Sequence, residues 1–127
     1  MPSLNFKPQF ADDVASGQKR QTIRVRGKRA WKAGDVLHLF SGMRTTACKR
    51  IGTATLLSVQ TITIDTGRRQ VFLELPVSNG SRYMAALTDD EIMELAQADG
   101  FATPDDFFAF FKTAYRRDTI GGHLLKW

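Results

Sequence analysis

Three features of the sequence predict an α+β fold. Residues 49–64 are crowded with β-branched side chains, and shorter apolar or alternating runs at 21–26, 36–40 and 70–75 add further strands. Thr88-Asp89-Asp90-Glu91 and Thr103-Pro104-Asp105-Asp106 then open two helices in succession. A series of strands followed by a series of helices is the α+β pattern. With 127 residues there is room for one core, so residues 1–127 are read as a single domain.

Taken in order, Leu4-Asn5-Phe6 reads as a short strand, and Pro8 suits the first turn of a helix, where its missing donor is not needed. Phe10 and Val14 make the apolar stripe of that helix and Gly17 ends it. A strand from Gln21 to Arg26 follows, then a basic loop, Gly27 to Gly34, holding Trp31. Val36 to Phe40 forms a core strand containing His38, and Ser41 to Thr46 a loop. Lys49 to Ile64 makes one long bent strand or two, with Gly52 as a bulge or point of close approach. Asp65-Thr66-Gly67 turns the chain into a strand at Gln70 to Leu75, and Pro76 to Arg82 is a loop.

The helix opened by Thr88 carries an apolar face of Ile92, Leu95 and Ala96 and stops at Gly100. In the next, acids at the start and Lys112, Arg116 and Arg117 at the end complement the helix dipole, while Phe107, Phe108, Phe110, Phe111 and Tyr115 pack into the core. Gly121-Gly122 is expected to break the chain before a terminal strand or tail at His123 to Trp127.

Charge is segregated along this chain of net charge +5. Between Gln18 and Arg50 stand ten basic residues and one acid, whereas Asp89 to Asp106 holds seven acids and no lysine or arginine. A basic cluster of this kind attracts phosphate backbones. The plainer alternative is a solvated basic surface, or a seam pairing with the acidic half. Trp31 among cations could stack on a base, or simply cover the end of the core. One cysteine, Cys48, rules out an internal disulfide and a thiolate cluster. The two histidines, His38 and His123, are far apart, and no metal site or cofactor is expected. With no apolar run near the roughly 20 residues of a membrane span and no signal-peptide pattern at the start, a cytoplasmic protein without membrane contact is expected.

The densest chemistry lies in Gly17 to Arg26. In a strand there, Gln21, Ile23 and Val25 face one way and Thr22, Arg24 and Arg26 the other. Lys19 can bring an ammonium group beside the Thr22 hydroxyl. A threonine becomes a nucleophile only when a base takes its proton, and a lysine does so only if burial or nearby cations lower its pKa. Arg20, Arg24 and Arg26 are such cations. The plainer reading leaves Lys19 capping the preceding helix, Thr22 suiting a strand and Asp99 sitting in a turn before Gly100.

Phe10 to Arg24, with helix, glycine, lysine and Thr-Ile-Arg in sequence, together with Gly34-Asp35-Val36-Leu37 and Ala96 to Phe101 ahead of a helix ending in Tyr115, resembles the ASCH domain family, whose fold is related to PUA domains. The resemblance implies a PUA-like small β-barrel with flanking helices and a basic cleft for RNA or a nucleoside. Its small bacterial amidohydrolases remove the acetyl group of N4-acetylcytidine. Carried over, their pattern makes Lys19 the base, Thr22 the nucleophile and Asp99 the acid, where the family places a glutamate. Arg24 could hold the oxyanion. Arg20, Arg24, Arg26, Lys28, Arg29, Trp31, Lys32 and Phe40 are the expected binding residues. A non-catalytic RNA-binding module is the alternative, and a ribonuclease ranks below it.

Overall fold

The computed structural model describes residues 3–25, 30–76 and 80–127, with backbone alone at Pro76 and Arg82. The basic residues Arg26, Lys28 and Arg29 lie outside the described residues. The element order is β1 (Ser3–Phe6), α1 (Pro8–Ser16), β2 (Gln21–Val25), β3 (Val36–Ser41), β4 (Lys49–Thr55), β5 (Ser58–Asp65), β6 (Gln70–Pro76), β7 (Arg82–Ala86), α2 (Asp89–Ala98), α3 (Pro104–Tyr115) and β8 (Thr119–Lys126). The α+β class is therefore correct.

The strands form two sheets. One runs β1-β3-β4 and the other β2-β8-β5-β6-β7. Among the described residues no ladder closes them into a barrel, which departs from the closed form expected. The chain passes from the first sheet to the second at a corner. Leu56 bonds back to the first sheet's end, its N–H donating to Asp35 O at 2.8 Å and its carbonyl accepting from Gly34 N at 2.7 Å. Leu57 already donates to Lys126 O of the second sheet at 2.7 Å. The long β-branched run is thus two strands, divided at this corner. Within β4, Leu39 pairs with Gly52 but Phe40 with Arg50, so Ile51 is the extra residue of a bulge beside Gly52.

One expectation fails, and one strand was not anticipated. Gly121 and Gly122 do not break the chain: they lie inside β8, which pairs with β2 on one side and β5 on the other. A Cβ on Gly122 would lie 2.4 Å from Arg24 O and 3.0 Å from Val25 Cα, so glycine is what lets β2 approach. The strand β7 begins where a loop is expected to end, because its Arg-Tyr-Met-Ala-Ala sequence has little β-branching; its pairing to β6 is what makes it a strand.

Helix α2 begins with the expected capping box, Thr88 N donating to Glu91 Oε1 at 2.9 Å and Glu91 N to Thr88 Oγ1 at 3.2 Å. In α3, Asp106 N donates to the Thr103 hydroxyl at 3.2 Å. Both helices pack on one another, and α1 packs against β1, β3 and β4. The core holds Leu37, Ile62, Ile64, Val71, Phe107 and Leu125 with no exposure at all. Each such side chain stabilises the fold by about 1.5–3 kcal/mol relative to an exposed one. No helix among the described residues is long and apolar enough to cross a membrane.

Candidate functional site

At the junction of the two sheets and the α2–α3 pair lies a cavity of about 240 Å³. Asn5 and Phe6 of β1, Phe10 of α1, Thr22 to Arg24 of β2, and Phe110, Phe111 and Tyr115 of α3 contribute to its wall. Lys19 and Asp99 enter from two turns that the sequence builds in similar ways.

The first turn ends α1. Gly17 takes φ +85° and donates to Val14 O, after which Lys19 N donates to Asp13 O at 3.0 Å, fixing the lysine backbone to the helix end just before β2 starts. The second ends α2. Gly100 takes φ +99°, its N–H donates to Gln97 O and Phe101 N donates to Ala96 O at 2.9 Å, a Schellman ending that turns the Asp99 side chain inward. A Cβ on Gly100 would stand 2.9 Å from the Phe10 ring, so this glycine also lets the turn rest on α1.

Between the turns, 80 residues apart in sequence, Lys19 Nζ donates to Asp99 Oδ1 at 3.0 Å and to Asp99 O at 2.6 Å. The lysine side chain is 3% exposed and the aspartate 6%. The ammonium also lies 5.1 Å from the Phe10 ring centroid. Burial pushes the lysine pKa down and the aspartate pKa up, while their mutual attraction opposes both shifts; Arg24 lowers both. Gln21 leans on the carboxyl and helps hold it ionised, yet its buried Nε2 makes no hydrogen bond of full geometry.

Arg24 adds an uncompensated charge. Its guanidinium lies 5.0 Å from the Phe6 ring centroid and donates to Asn5 O at 2.9 Å, tying β2 to β1 across the sheets. Its Nε is buried without a hydrogen-bond partner, and no carboxylate bridges to it among the described residues. Burial lowers its pKa, though an arginine keeps its charge at any ordinary pH.

Lys19, Thr22, Arg24 and Asp99 are thus brought together, and among the described residues both hydrogen bonds of the lysine Nζ go to Asp99, none to Thr22. The other expected binding residues lie elsewhere. Arg20 is exposed and donates from Nε to Trp127 O at 3.0 Å. Trp31 packs half-buried against the core, Lys32 is exposed, and Phe40 is half-buried on β3, paired with Asn5 and Arg50. None of these four lines the cavity.

Sequence reasoning missed its aromatic wall. Phe10, Phe101 and Phe110 meet edge-on or tilted with centroids 5.2–5.8 Å apart, and Phe111 stacks on Tyr115 at 6.1 Å. The spacing of Phe107 to Tyr115 gives α3 apolar surface on more than one side, and the excess over a single core-facing stripe was the available signal. His38 Nδ1 accepts from Arg50 at 2.9 Å, and no group of three or more His, Cys, Asp or Glu side chains able to hold a metal occurs among the described residues. Comparison of the chain with protein-family models, curated proteins and solved structures gave no match.

Proposed function

We propose that the chain is an ASCH-type, PUA-related amidohydrolase that holds N4-acetylcytidine in this cavity and releases cytidine and acetate. The observation that carries the reading is the buried Lys19–Asp99 pair in a cavity that Thr22 and Arg24 also line. At about 240 Å³ the space falls just below the roughly 300–1,000 Å³ of sites for drug-sized ligands, which favours a single base with its acyl group over a polymer.

The chemistry balances with these residues alone. Passage of one proton from Lys19 to Asp99 across their contact yields a neutral amine and a carboxylic acid without exchange with solvent. The amine takes the Thr22 hydroxyl proton as the oxygen bonds to the acyl carbon, and the Arg24 guanidinium offsets the oxyanion. When the carbon–nitrogen bond breaks, Asp99 gives its proton to the departing N4 and cytidine leaves. Water then attacks the acetyl-threonine ester, losing one proton to Asp99, while the threonine oxygen recovers one from Lys19. Acetic acid departs and the amine and acid forms are restored.

Incubation with N4-acetylcytidine, followed by chromatography, tests this. Cytidine release is expected from the protein and is expected to fall at least about a thousandfold in Thr22→Ala and Lys19→Ala, the scale typical of a lost nucleophile or base. Intact substrate, or release that survives Thr22→Ala, overturns the proposal. One observation favours a second reading, a binding module without catalysis: the lysine is bonded to Asp99 and not to the threonine. That protein binds the nucleoside, leaves it intact, and tolerates Thr22→Ala.

A further inference from the structure

We propose that the cavity contains a carboxylate subsite centred on Arg24, which takes small monocarboxylates with an apolar tail. The charges on its wall supply the argument. Lys19 and Asp99 neutralise one another at 3.0 Å, and among the described residues Asp99 is the sole acid that lines the cavity. Lys7 and Arg24 remain as positive charges on the wall; Lys7 Nζ lies 4.8 Å from the Phe110 ring centroid, whereas Arg24 Nε is buried without a hydrogen-bond partner among the described residues. A buried charge with no counter-ion is costly, and a small anion beside it removes that cost.

The shape of the donor and the walls select the anion. A guanidinium presents a planar fork that matches two carboxylate oxygens, and among the described residues the Arg24 side chain donates one hydrogen bond, to the Asn5 carbonyl. Phe6, Phe10, Phe101 and Phe110 around it are apolar, so a methyl or ethyl group is received better than a second polar end. About 240 Å³ admits acetate or propionate easily.

This subsite acts on the reaction as well as on the resting protein, and that second part rests on the amidohydrolase reading. The donor that offsets the oxyanion also faces the carboxylate formed when acetic acid ionises, so acetate leaves slowly and competes with substrate. Binding to the resting protein does not depend on any hydrolysis.

The experiment titrates the full chain with sodium acetate at constant total salt, following 13C-acetate line broadening. Propionate and inorganic phosphate are run alongside, with chloride as the balancing salt. Acetate and propionate are expected to bind in competition with one another and more tightly than chloride or phosphate. Arg24→Gln is expected to weaken acetate at least about tenfold, the scale of a lost charge-assisted bond. Arg24→Lys keeps the charge without the fork and is expected to fall between. Circular dichroism and a thermal melt confirm that each variant is folded; where Arg24→Gln does not fold, Arg24→Lys and exclusion of acetate by propionate carry the decision. Acetate binding no tighter than chloride, or equal in every folded Arg24 variant, overturns the subsite. Binding without cytidine release keeps the subsite and overturns the amidohydrolase reading alone.

Discussion

Asp99→Asn removes the carboxylate that bridges the Lys19 ammonium at 3.0 Å and strands a cation 3% exposed to solvent. The loss is expected to be about 3–5 kcal/mol in urea unfolding, because the remaining partner is left buried and unpaired. Lys19→Met with Asp99→Leu removes both charges and is expected to recover most of that stability. The difference in stability between the natural protein and this double variant also has a defined pH dependence, in which titrations common to both proteins largely cancel. Asp99 has its pKa raised above 3.8, so its contribution is present below that value and is lost as pH rises through the folded value. Lys19 has its pKa lowered from 10.5, so its contribution is present above 10.5 and lost as pH falls through the folded value. The difference should therefore be least favourable between the two windows, where both groups are charged. A difference flat with pH would contradict the burial argument.

At the scale of the element, β8 decides whether the site exists. It lies between β2, which carries Thr22 and Arg24, and β5, and its residues Gly122 and His123 stand opposite Val25 and Arg24. Gly122→Ala places a methyl 2.4 Å from Arg24 O, backbone that cannot swing aside as a flexible side chain does. Separation of β2 from β8 is expected, with a loss of about 1–3 kcal/mol or more and a weaker hold on any ligand of Arg24. Chemical denaturation gives the first, and nucleoside titration the second. A stable variant with unchanged affinity would show that the site does not depend on this close approach. The α2 ending works to the same purpose from the other side, since Gly100 both turns the chain and lets Asp99 reach Lys19 past Phe10.

At the scale of the whole molecule, charge and cavity separate two kinds of ligand. The basic residues Arg20 and Lys32 are on the surface, whereas the cavity sits between the sheets and α3 behind aromatic walls. A neutral nucleoside held in the cavity is expected to keep its affinity within about twofold between roughly 50 and 200 mM salt, because it displaces no counterions. An RNA held by the basic surface loses on the order of tenfold or more over the same range once a few phosphates are neutralised. Equilibrium binding of N4-acetylcytidine and of a short single-stranded RNA across that series distinguishes them, and a steep salt slope for the nucleoside would count against occupancy of the cavity.

Local physics by itself determined much of this protein. The turn at Gly17, the capping box at Thr88, the Thr103 cap and the strand at Gln21 depend on neighbours within a few residues, and each formed where its sequence pattern placed it. The same stretch put Lys19, Thr22 and Arg24 within one turn and one strand, which is why those residues could be singled out together. Tertiary structure decided what depends on distant partners. Gly121-Gly122 reads locally as a break and became the centre of a sheet because two strands bond to it at once. The strand β7 has no local signal and exists through its pairing with β6. Whether Trp31 or Phe110 would reach the cavity depended on how α3 meets α1, where Phe110 lies 5.8 Å from Phe10, and it brought Phe110 to the cavity and left Trp31 on the core. The Lys19–Asp99 bond joins residues 80 apart, and only the packing of two helix ends fixes a contact over that separation.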